Sequence, residues 1–165
     1  MPDNRRAFFA NEGKVRSRGT TYPAPMKRNE PVSKIMSTHL VTVHHGEPVS
    51  KVRQLIREHG VHHVPVVAGQ KLVGIVSHAD VLRVSFGDAF HTDERTVDAT
   101  LDHTMTLEDL MQKDPVAVRE TAPIREAAEI LAQGNFHSLP VVSDGQKLVG
   151  MLTSTDLIRY LLDQF

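Results

Sequence analysis

The sequence predicts an α+β fold in which two βαββα repeats pack with pseudo-twofold symmetry into one module. The first indication is a ten-residue block that occurs twice, KLVGIVSHAD at 71–80 and KLVGMLTSTD at 147–156. A shorter match precedes each block, HHVPVV at 62–67 and HSLPVV at 137–142. Both matches recur at almost the same separation along the chain, which indicates an internal repeat.

The size of each repeat favours one module rather than two independent domains. A unit of about 55 residues with three short strands is marginally stable alone. Two such units can bury the apolar faces of their sheets against each other. We therefore expect the repeats to fold together.

The first repeat is predicted to cover residues 31–85. Apolar residues at helical spacing predict a helix over 48–59, with Gly60 as its C-terminal cap. A β-rich stretch at 40–43 predicts a short strand before it. The other predicted elements are a helical turn at 31–36, a hairpin with strands at 64–67 and 72–76, and a helix over 77–85.

The second repeat is predicted to cover residues 106–165 with the same order of elements. It carries one additional residue in its hairpin turn, where Asp144 and Gly145 form a favourable turn pair. The predicted elements are a helical turn at 106–111, a strand at 116–118, a helix that Pro123 opens, hairpin strands at 139–142 and 148–152, and a closing helix over 153–162.

Two charged segments flank the first repeat. Residues 1–30 hold seven Lys and Arg against three acids, with Pro23 and Pro25, and we expect a flexible basic arm. Residues 86–105 form an acidic linker with a short helix near 96–103. The arm is interpreted as a mobile tail or, alternatively, as a segment that docks on a partner or on the acidic linker.

Composition excludes several classes of protein. The formal net charge of −1 argues against a dedicated nucleic-acid binder. The absence of cysteine excludes disulfides, thiolate zinc sites and cysteine nucleophiles. No apolar run approaches the ~18 residues of a membrane span, so we expect a cytoplasmic protein with no membrane partner.

The repeated motifs resemble the cystathionine β-synthase (CBS) domain, present as a tandem pair over roughly 31–162. HHVPVV with GIVSHAD at 74–80, and HSLPVV with GMLTSTD at 150–156, carry the resemblance. The resemblance implies a stand-alone regulatory module that binds adenosine-containing ligands in clefts between the repeats. It also implies dimerisation into a flat disc.

The chemistry of the motif residues agrees with this implication. Ser77 and Thr153 stand where a strand passes into a helix, and a helix N-terminus suits a phosphate. Asp80 and Asp156 can each accept two hydrogen bonds from a ribose diol. Thr155 adds a hydroxyl where the first repeat has an alanine, so we expect the site that uses repeat two to bind better. The alternative is that Ser-x-x-Asp and Thr-x-x-Asp are only helix capping boxes.

Further residues complete the expected site. The apolar strand edges at Val64 and Pro65, and at Leu139 and Pro140, are expected to wall in a purine. By the resemblance, the segments 37–41 and 112–116 supply backbone groups to the base, with Ser37 and Leu40 in the first. His62, His63 and His137 are expected to assist the phosphate, although no arginine accompanies them as in several nucleotide-binding relatives.

No metal site or catalytic residue is predicted. His62 and His63 are adjacent and would face opposite sides of a strand. The chain has no G-x-G-x-x-G, P-loop, G-x-S-x-G or H-E-x-x-H motif. We therefore expect a protein without enzyme activity or a required cofactor.

The sequence thus predicts a module that senses AMP, ADP, ATP or S-adenosylmethionine as a regulatory ligand. A homodimer is expected, together with an unknown protein partner. The rival interpretation is a ligand-free dimeric scaffold that has kept the fold and lost the sites.

Overall fold

A computed structural model of the chain describes residues 30–85 and 93–165. The basic arm predicted for residues 1–30 lies outside the described residues, except for Glu30. The part of the acidic linker at 86–92 lies outside them too.

The first repeat has the predicted order of elements. A 3-10 turn at Val32–Lys34 precedes strand β1 (Val43–His44), helix α1 (Val49–His59), strands β2 (His63–Ala68) and β3 (Lys71–Ser77), and helix α2 (His78–Ser85). Gly60 ends α1 in the left-handed conformation, with φ 63°, which confirms the predicted cap. The strand expected at 40–43 is shorter and lies later, at Val43–His44, and Ser37 before it pairs with Met151 of the other repeat.

The linker and the second repeat follow. Helix α3 (Glu94–Thr104) joins the repeats. Repeat two contains α4 (Leu107–Leu110), β4 (Gln112–Lys113), β5 (Val118–Arg119), α5 (Ile124–Ala132), β6 (Ser138–Val142), β7 (Leu148–Thr153) and α6 (Ser154–Leu162). Its hairpin turn at Asp144–Gln146 places Gly145 at φ 70°, where the sequence predicts the additional residue.

Each repeat contributes one sheet of the same topology. The first strand pairs in parallel with the second, and the second pairs antiparallel with the third, in β1-β2-β3 and in β5-β6-β7. Both hairpins shift register at matching positions, Val66/Val67 and Val141/Val142. This correspondence agrees with the predicted pseudo-twofold symmetry.

The repeats exchange the segments that precede their first strands. β4 of repeat two pairs with β3 of repeat one, and Ser37 of repeat one bridges to Met151 of β7. The exchange continues in the cores: Val32 packs among the buried residues of repeat two, and Leu107 among those of repeat one. Each core is therefore completed by residues of the other repeat.

Two glycines permit this exchange. A Cβ on Gly74 would lie 2.4 Å from the Met111 sulfur, and a Cβ on Gly150 would lie 2.4 Å from the Met36 sulfur. Because real Cβ atoms do not approach so closely, a larger residue at either position would force the exchanged methionine side chain to move.

Helix α3 is docked on α1 rather than solvated on all sides. Val97 and Leu101 are buried against Val49. The Ser50 amide and hydroxyl donate to Asp102 at 2.9 and 2.6 Å. The linker acids therefore satisfy polar groups of α1, and an ion pair between Arg53 and Asp98 adds to this contact.

In the parts of the chain that the structure describes, no helix is long and apolar enough to span a bilayer.

Candidate functional site

In residues 30–85 and 93–165, a pair of cavities related by the pseudo-twofold symmetry opens where the repeats meet. The larger has a volume of about 740 Å³ and the smaller about 240 Å³. Small-molecule sites usually occupy about 300–1,000 Å³. The larger cavity is therefore the stronger candidate for a ligand site.

The larger cavity combines segments of both repeats. One wall is the exchanged segment, through Ser37, Leu40 and Val41. A second part of the lining is the β7–α6 junction of repeat two, which contributes Met151, Thr153 and Thr155. The remaining lining comes from the start of β2, the β3–α2 junction and the residues before β6, through Val61, His62, Pro65, Ser77, His78, Ala79, Leu82 and His137.

The smaller cavity uses the symmetry-related parts. Its exchanged segment contributes Gln112, Pro115 and Val116. The β3–α2 junction of repeat one contributes Ser77 and Asp80. Residues around the start of β6 close it: Asn135, Phe136, His137, Ser138 and Pro140.

Each helix that begins at a cavity is held by an acidic capping box. Asp156 accepts from the Thr153 amide at 2.8 Å and from its hydroxyl at 2.6 Å, and the Asp156 amide donates back to that hydroxyl. Ser77 and Asp80 repeat the arrangement at α2, with 3.1 and 2.6 Å. The capping interpretation of these motifs therefore describes the structure of both helix starts.

The capping boxes leave specific groups free for a ligand. The Ser77 and Thr153 hydroxyls use their hydrogens on the carboxylates, so a phosphate would have to find other donors. The first amides of α2 and α6 donate to the His62 and His137 carbonyls at 2.8 and 3.1 Å. The second amides, of Ala79 and Thr155, are the donors that remain at the two helix N-termini.

Each capping carboxylate keeps its second oxygen outside the box. In Asp80 this oxygen accepts from Arg83 at 3.2 Å, and in Asp156 it lies 3.8 Å from Arg159. Both arginines are largely exposed, so these ion pairs are weak and can yield to a ligand.

The wall between the cavities is shared. His63 and His137 line both of them, and so does Ser77. Burial lowers the pKa of His63 below its usual value; His62 and His137 lower it further, while Asp80 acts in the opposite direction. The free imidazole of His63 is therefore biased toward its neutral form.

Ser138, the counterpart of His63 in repeat two, also lines both cavities. It is 7% exposed. Among the residues that the structure describes, its hydroxyl is the one buried side-chain polar atom without a hydrogen-bond partner. Because an unpaired buried hydroxyl is costly, it is available to a ligand atom or a water at this wall.

The structure brings most of the predicted site residues together, but in an arrangement that crosses between repeats. Ser37, Leu40, His62, Pro65, Thr153 and Thr155 line the larger cavity, Asp80 and Pro140 the smaller, and Ser77, His63 and His137 both. Asp156 is in the capping box beside the larger cavity and is absent from its lining.

The side chains of Val64 and Leu139 do not lie where the expected purine wall would require them. Both are fully buried in the two cores and line neither cavity. Successive side chains of a strand face opposite sides, so the neighbouring prolines face the cavities instead.

Several lining residues were not singled out from the sequence. His39, His78 and Ser138 contribute polar groups, and Met151 and Phe136 contribute apolar ones. The alignment of the two repeats could have identified Ser138, since it aligns with His63.

No group of three or more His, Asp or Glu side chains in residues 30–85 and 93–165 is placed to hold a metal ion.

Comparisons with known proteins identify the family. A sequence model of the CBS domain matches residues 32–87 and 107–163. Inosine-5′-monophosphate dehydrogenase of Korarchaeum cryptofilum is 34% identical over 118 residues, which are 72% of this chain and 21% of the dehydrogenase. Homoserine O-acetyltransferase of Methanohalobium evestigatum is 30% identical over 135 residues, 81% of this chain and 24% of that enzyme. The chain thus spans about a quarter or less of these two relatives.

Solved structures show the same fold in proteins with bound adenosine compounds. CBSX2, a CBS-pair protein of Arabidopsis thaliana, was solved in complex with AMP; it is 28% identical, and the likeness covers 81% of this chain and 96% of CBSX2 with a TM-score of 0.67. The CBS-domain pair of protein MJ0100 was solved with methylthioadenosine and S-adenosylmethionine; it is 25% identical, with coverage of 80% and 99% and a TM-score of 0.63. The family match over both repeats shows that this chain belongs to the CBS domain family, as a tandem pair.

Proposed function

We propose that the chain is a cytoplasmic regulatory module that binds an adenosine-containing ligand in the larger cavity. The observation that carries this proposal is the cavity itself, where the exchanged segment 37–41 of one repeat faces the α6 N-terminus of the other. AMP in CBSX2, and methylthioadenosine and S-adenosylmethionine in MJ0100, support the choice of ligand class.

Roles for the residues follow from the chemistry of the site. The apolar side chains of Leu40, Val41 and Pro65 suit a purine ring, and the backbone of 37–41 offers hydrogen bonds to its edge. The free oxygen of Asp156 would accept a ribose hydroxyl. The Thr155 amide and hydroxyl, with the histidines, would receive the phosphate. The smaller cavity would use Asp80 in the same way for a second, weaker site.

Regulation would act through the relative placement of the repeats. A ligand in the larger cavity contacts both repeats at once, so it stabilises one arrangement of them over others. A protein partner that recognises that arrangement would then bind with a different affinity. No cofactor is required for this mechanism, and no catalytic step is proposed.

We also propose a homodimer through the apolar residues that α6 and the C-terminus expose. Ile158, Leu161 and Leu162 are exposed on α6, and Phe165 is 94% exposed. Apolar side chains grouped in this way favour association with a second apolar surface. Sedimentation of the purified chain should give the mass of two copies, and a monomer at micromolar concentration would contradict the dimer.

Thermal unfolding with AMP, ADP, ATP, methylthioadenosine and S-adenosylmethionine tests the function. A ligand at about 100 times its dissociation constant adds roughly 2.7 kcal/mol of stability, which raises Tm by several degrees. Asp156→Asn should weaken the binding of the best ligand by about 1.5–3 kcal/mol, the value of a hydrogen bond to a charged group. Asp80→Asn, the matched change at the smaller cavity, should weaken this affinity less, because Asp80 does not line the larger cavity.

Two outcomes would overturn the assignment. If no adenosine compound stabilises the chain, the ligand-free scaffold is the better interpretation. If Asp80→Asn removes binding while Asp156→Asn retains it, the ligand occupies the smaller cavity.

A further inference from the structure

Histidines make up half of the polar residues that line the larger cavity, and the other half are serines and threonines. The chain has ten histidines, and five of them line this one cavity: His39, His62, His63, His78 and His137. Within the described residues, no Lys, Arg, Asp or Glu side chain belongs to the lining. A negative ligand group in this cavity would therefore meet imidazoles in place of permanent cations.

The histidines converge from separate parts of the chain. His39 lies in the exchanged segment, His62 and His63 at the start of β2, His78 at the start of α2, and His137 before β6. The rings of His62 and His78 stand 6.1 Å apart, edge to face. The fold thus brings imidazoles from four segments together in the larger cavity.

The charge of this cavity depends on protonation. Histidine is the side chain whose charge ordinarily changes between about pH 5 and 8. The pKa of His63 is lowered in the free protein by burial and by its histidine neighbours. A phosphate dianion beside these rings favours their charged form and raises their pKa. The ligand would therefore bind together with protons.

The number of protons is limited because the imidazoles repel each other once they are charged. Like charges at such short range make each further protonation less favourable. One or two imidazolium groups match the two charges of a single phosphate. A triphosphate would need more positive charge than the cluster can hold, and the net positive charge of S-adenosylmethionine would be repelled by it.

We propose that the larger cavity selects an adenosine ligand with one phosphate group and takes up about one proton at its histidines when this ligand binds. The inference rests on the function proposed above and names the ligand and the pH response of that same site. The proton uptake should make AMP bind more tightly at lower pH, within the range over which the pH of a cell varies.

Other charged groups near the cluster set the limits of this response. The groups whose charge acts on His63 are His62 immediately before β2, His137 before β6, and Asp80 of α2. Asp80 is engaged by its capping box and by Arg83. On the β7–α6 side, Asp156 is held in the same way by Thr153 and lies near Arg159.

Calorimetry on the full chain measures the proton directly. AMP is titrated at pH 7.4 in HEPES and in Tris, whose ionisation enthalpies differ. At this pH the phosphate, with a second pKa of about 6, is already largely a dianion. The observed enthalpy should differ between the buffers by an amount that corresponds to about one proton taken up. Adenosine, which lacks the phosphate, should show no such difference.

Affinities at pH 6.5, 7.5 and 8.5 provide the second readout. The bound state holds more protons than the free state, so AMP affinity should fall with rising pH, by at most about tenfold per unit for each proton. Adenosine affinity should stay constant, and S-adenosylmethionine affinity should rise. ATP should bind more weakly than AMP at every pH.

Substitutions at His63 distinguish an effect of its charge on AMP binding from an effect of its side chain on the structure of the cavity. His63→Gln should reduce the proton uptake and flatten the pH dependence. His63→Arg supplies a permanent charge, so it should strengthen AMP binding at pH 8.5 while it also flattens the dependence. His103→Gln is the control, because His103 is an exposed residue of α3 outside the cavity.

The possible failures can be separated. AMP binding with equal affinity from pH 6.5 to 8.5, and no buffer dependence, would overturn the proton-linked site and leave the proposed function intact. If AMP, adenosine and S-adenosylmethionine all fail to bind at any pH, the proposed function itself is overturned.

Discussion

Asp80 and Asp156 each cap a helix through one carboxylate oxygen, and their other oxygen lies outside the capping box. Each caps its helix with one oxygen, through two accepted hydrogen bonds and one reciprocal bond from its own amide. The capping and the ligand interpretations of the motif are thus compatible. Loss of a cap residue should therefore affect stability and binding together.

Thr153→Ala should lower the free energy of unfolding by about 1 kcal/mol, in the range of N-cap losses. The change removes the hydroxyl that accepts from the Asp156 amide at 3.2 Å and donates to its carboxylate at 2.6 Å. Urea unfolding measures the loss. Thr153→Ser keeps the hydroxyl and should stay near the parent, as should Thr121→Ala at an exposed position. Equal stability of Thr153→Ala and the parent would show that the cap contributes nothing.

At the residue scale, features that depend on residues close together in the sequence are predicted, and features that depend on residues brought together by the fold are not. The capping boxes follow from residue types three positions apart. The wall that His63 shares with Ser138 could not be predicted, because these residues are far apart in sequence and meet only through the packing of the repeats. The same holds for the lowered pKa of His63, whose causes include His137 of the other repeat.

The helices and hairpins were predicted because each depends on its own periodicity and turn residues. The exchange of segments is different. A segment such as 31–37 carries no signal for whether it packs on its own repeat or on its neighbour, since the cores offer equivalent grooves. The strand predicted at 40–43 is found at Val43–His44, and Ser37 before it pairs with Met151 of β7.

Gly74→Ala tests the contact between β3 and the exchanged segment of repeat two. A Cβ there would lie 2.4 Å from the Met111 sulfur and 3.2 Å from the Gln112 carbonyl oxygen. We expect a loss of about 1–3 kcal/mol from overpacking, measured by urea unfolding. Gly46→Ala is the matched control, because the nearest atom to its Cβ would be 3.9 Å away, and it should change stability little.

The companion change Met111→Ala identifies the cause. If the clash with the methionine produces the loss, Gly74→Ala should be less destabilising in the Met111→Ala background than in the parent. Equal effects in the two backgrounds would place the strain elsewhere on β3.

At the scale of the molecule, the exchange makes the two repeats depend on each other. Val32 belongs in sequence to the first repeat, yet it is fully buried among Val118, Ala127 and Leu139 of the second. Leu107 is the reverse case, fully buried in the core of the first repeat. Unfolding of one repeat would therefore expose part of the core of the other, which favours a single cooperative transition.

Hydrogen exchange of the Val32→Ala variant tests this cooperativity. The substitution should cost about 2 kcal/mol through the lost methyl groups and the cavity they leave. If the repeats unfold together, the slowest amides of β2 and β3 should lose as much protection as those of β6 and β7, although Val32 contacts only the second core. Ser33→Ala, at the exposed neighbouring position of the same turn, should leave both hairpins unchanged. Loss of protection confined to β6 and β7 would mean that the repeats open separately, and a ligand that bridges them would then act by joining two independent units.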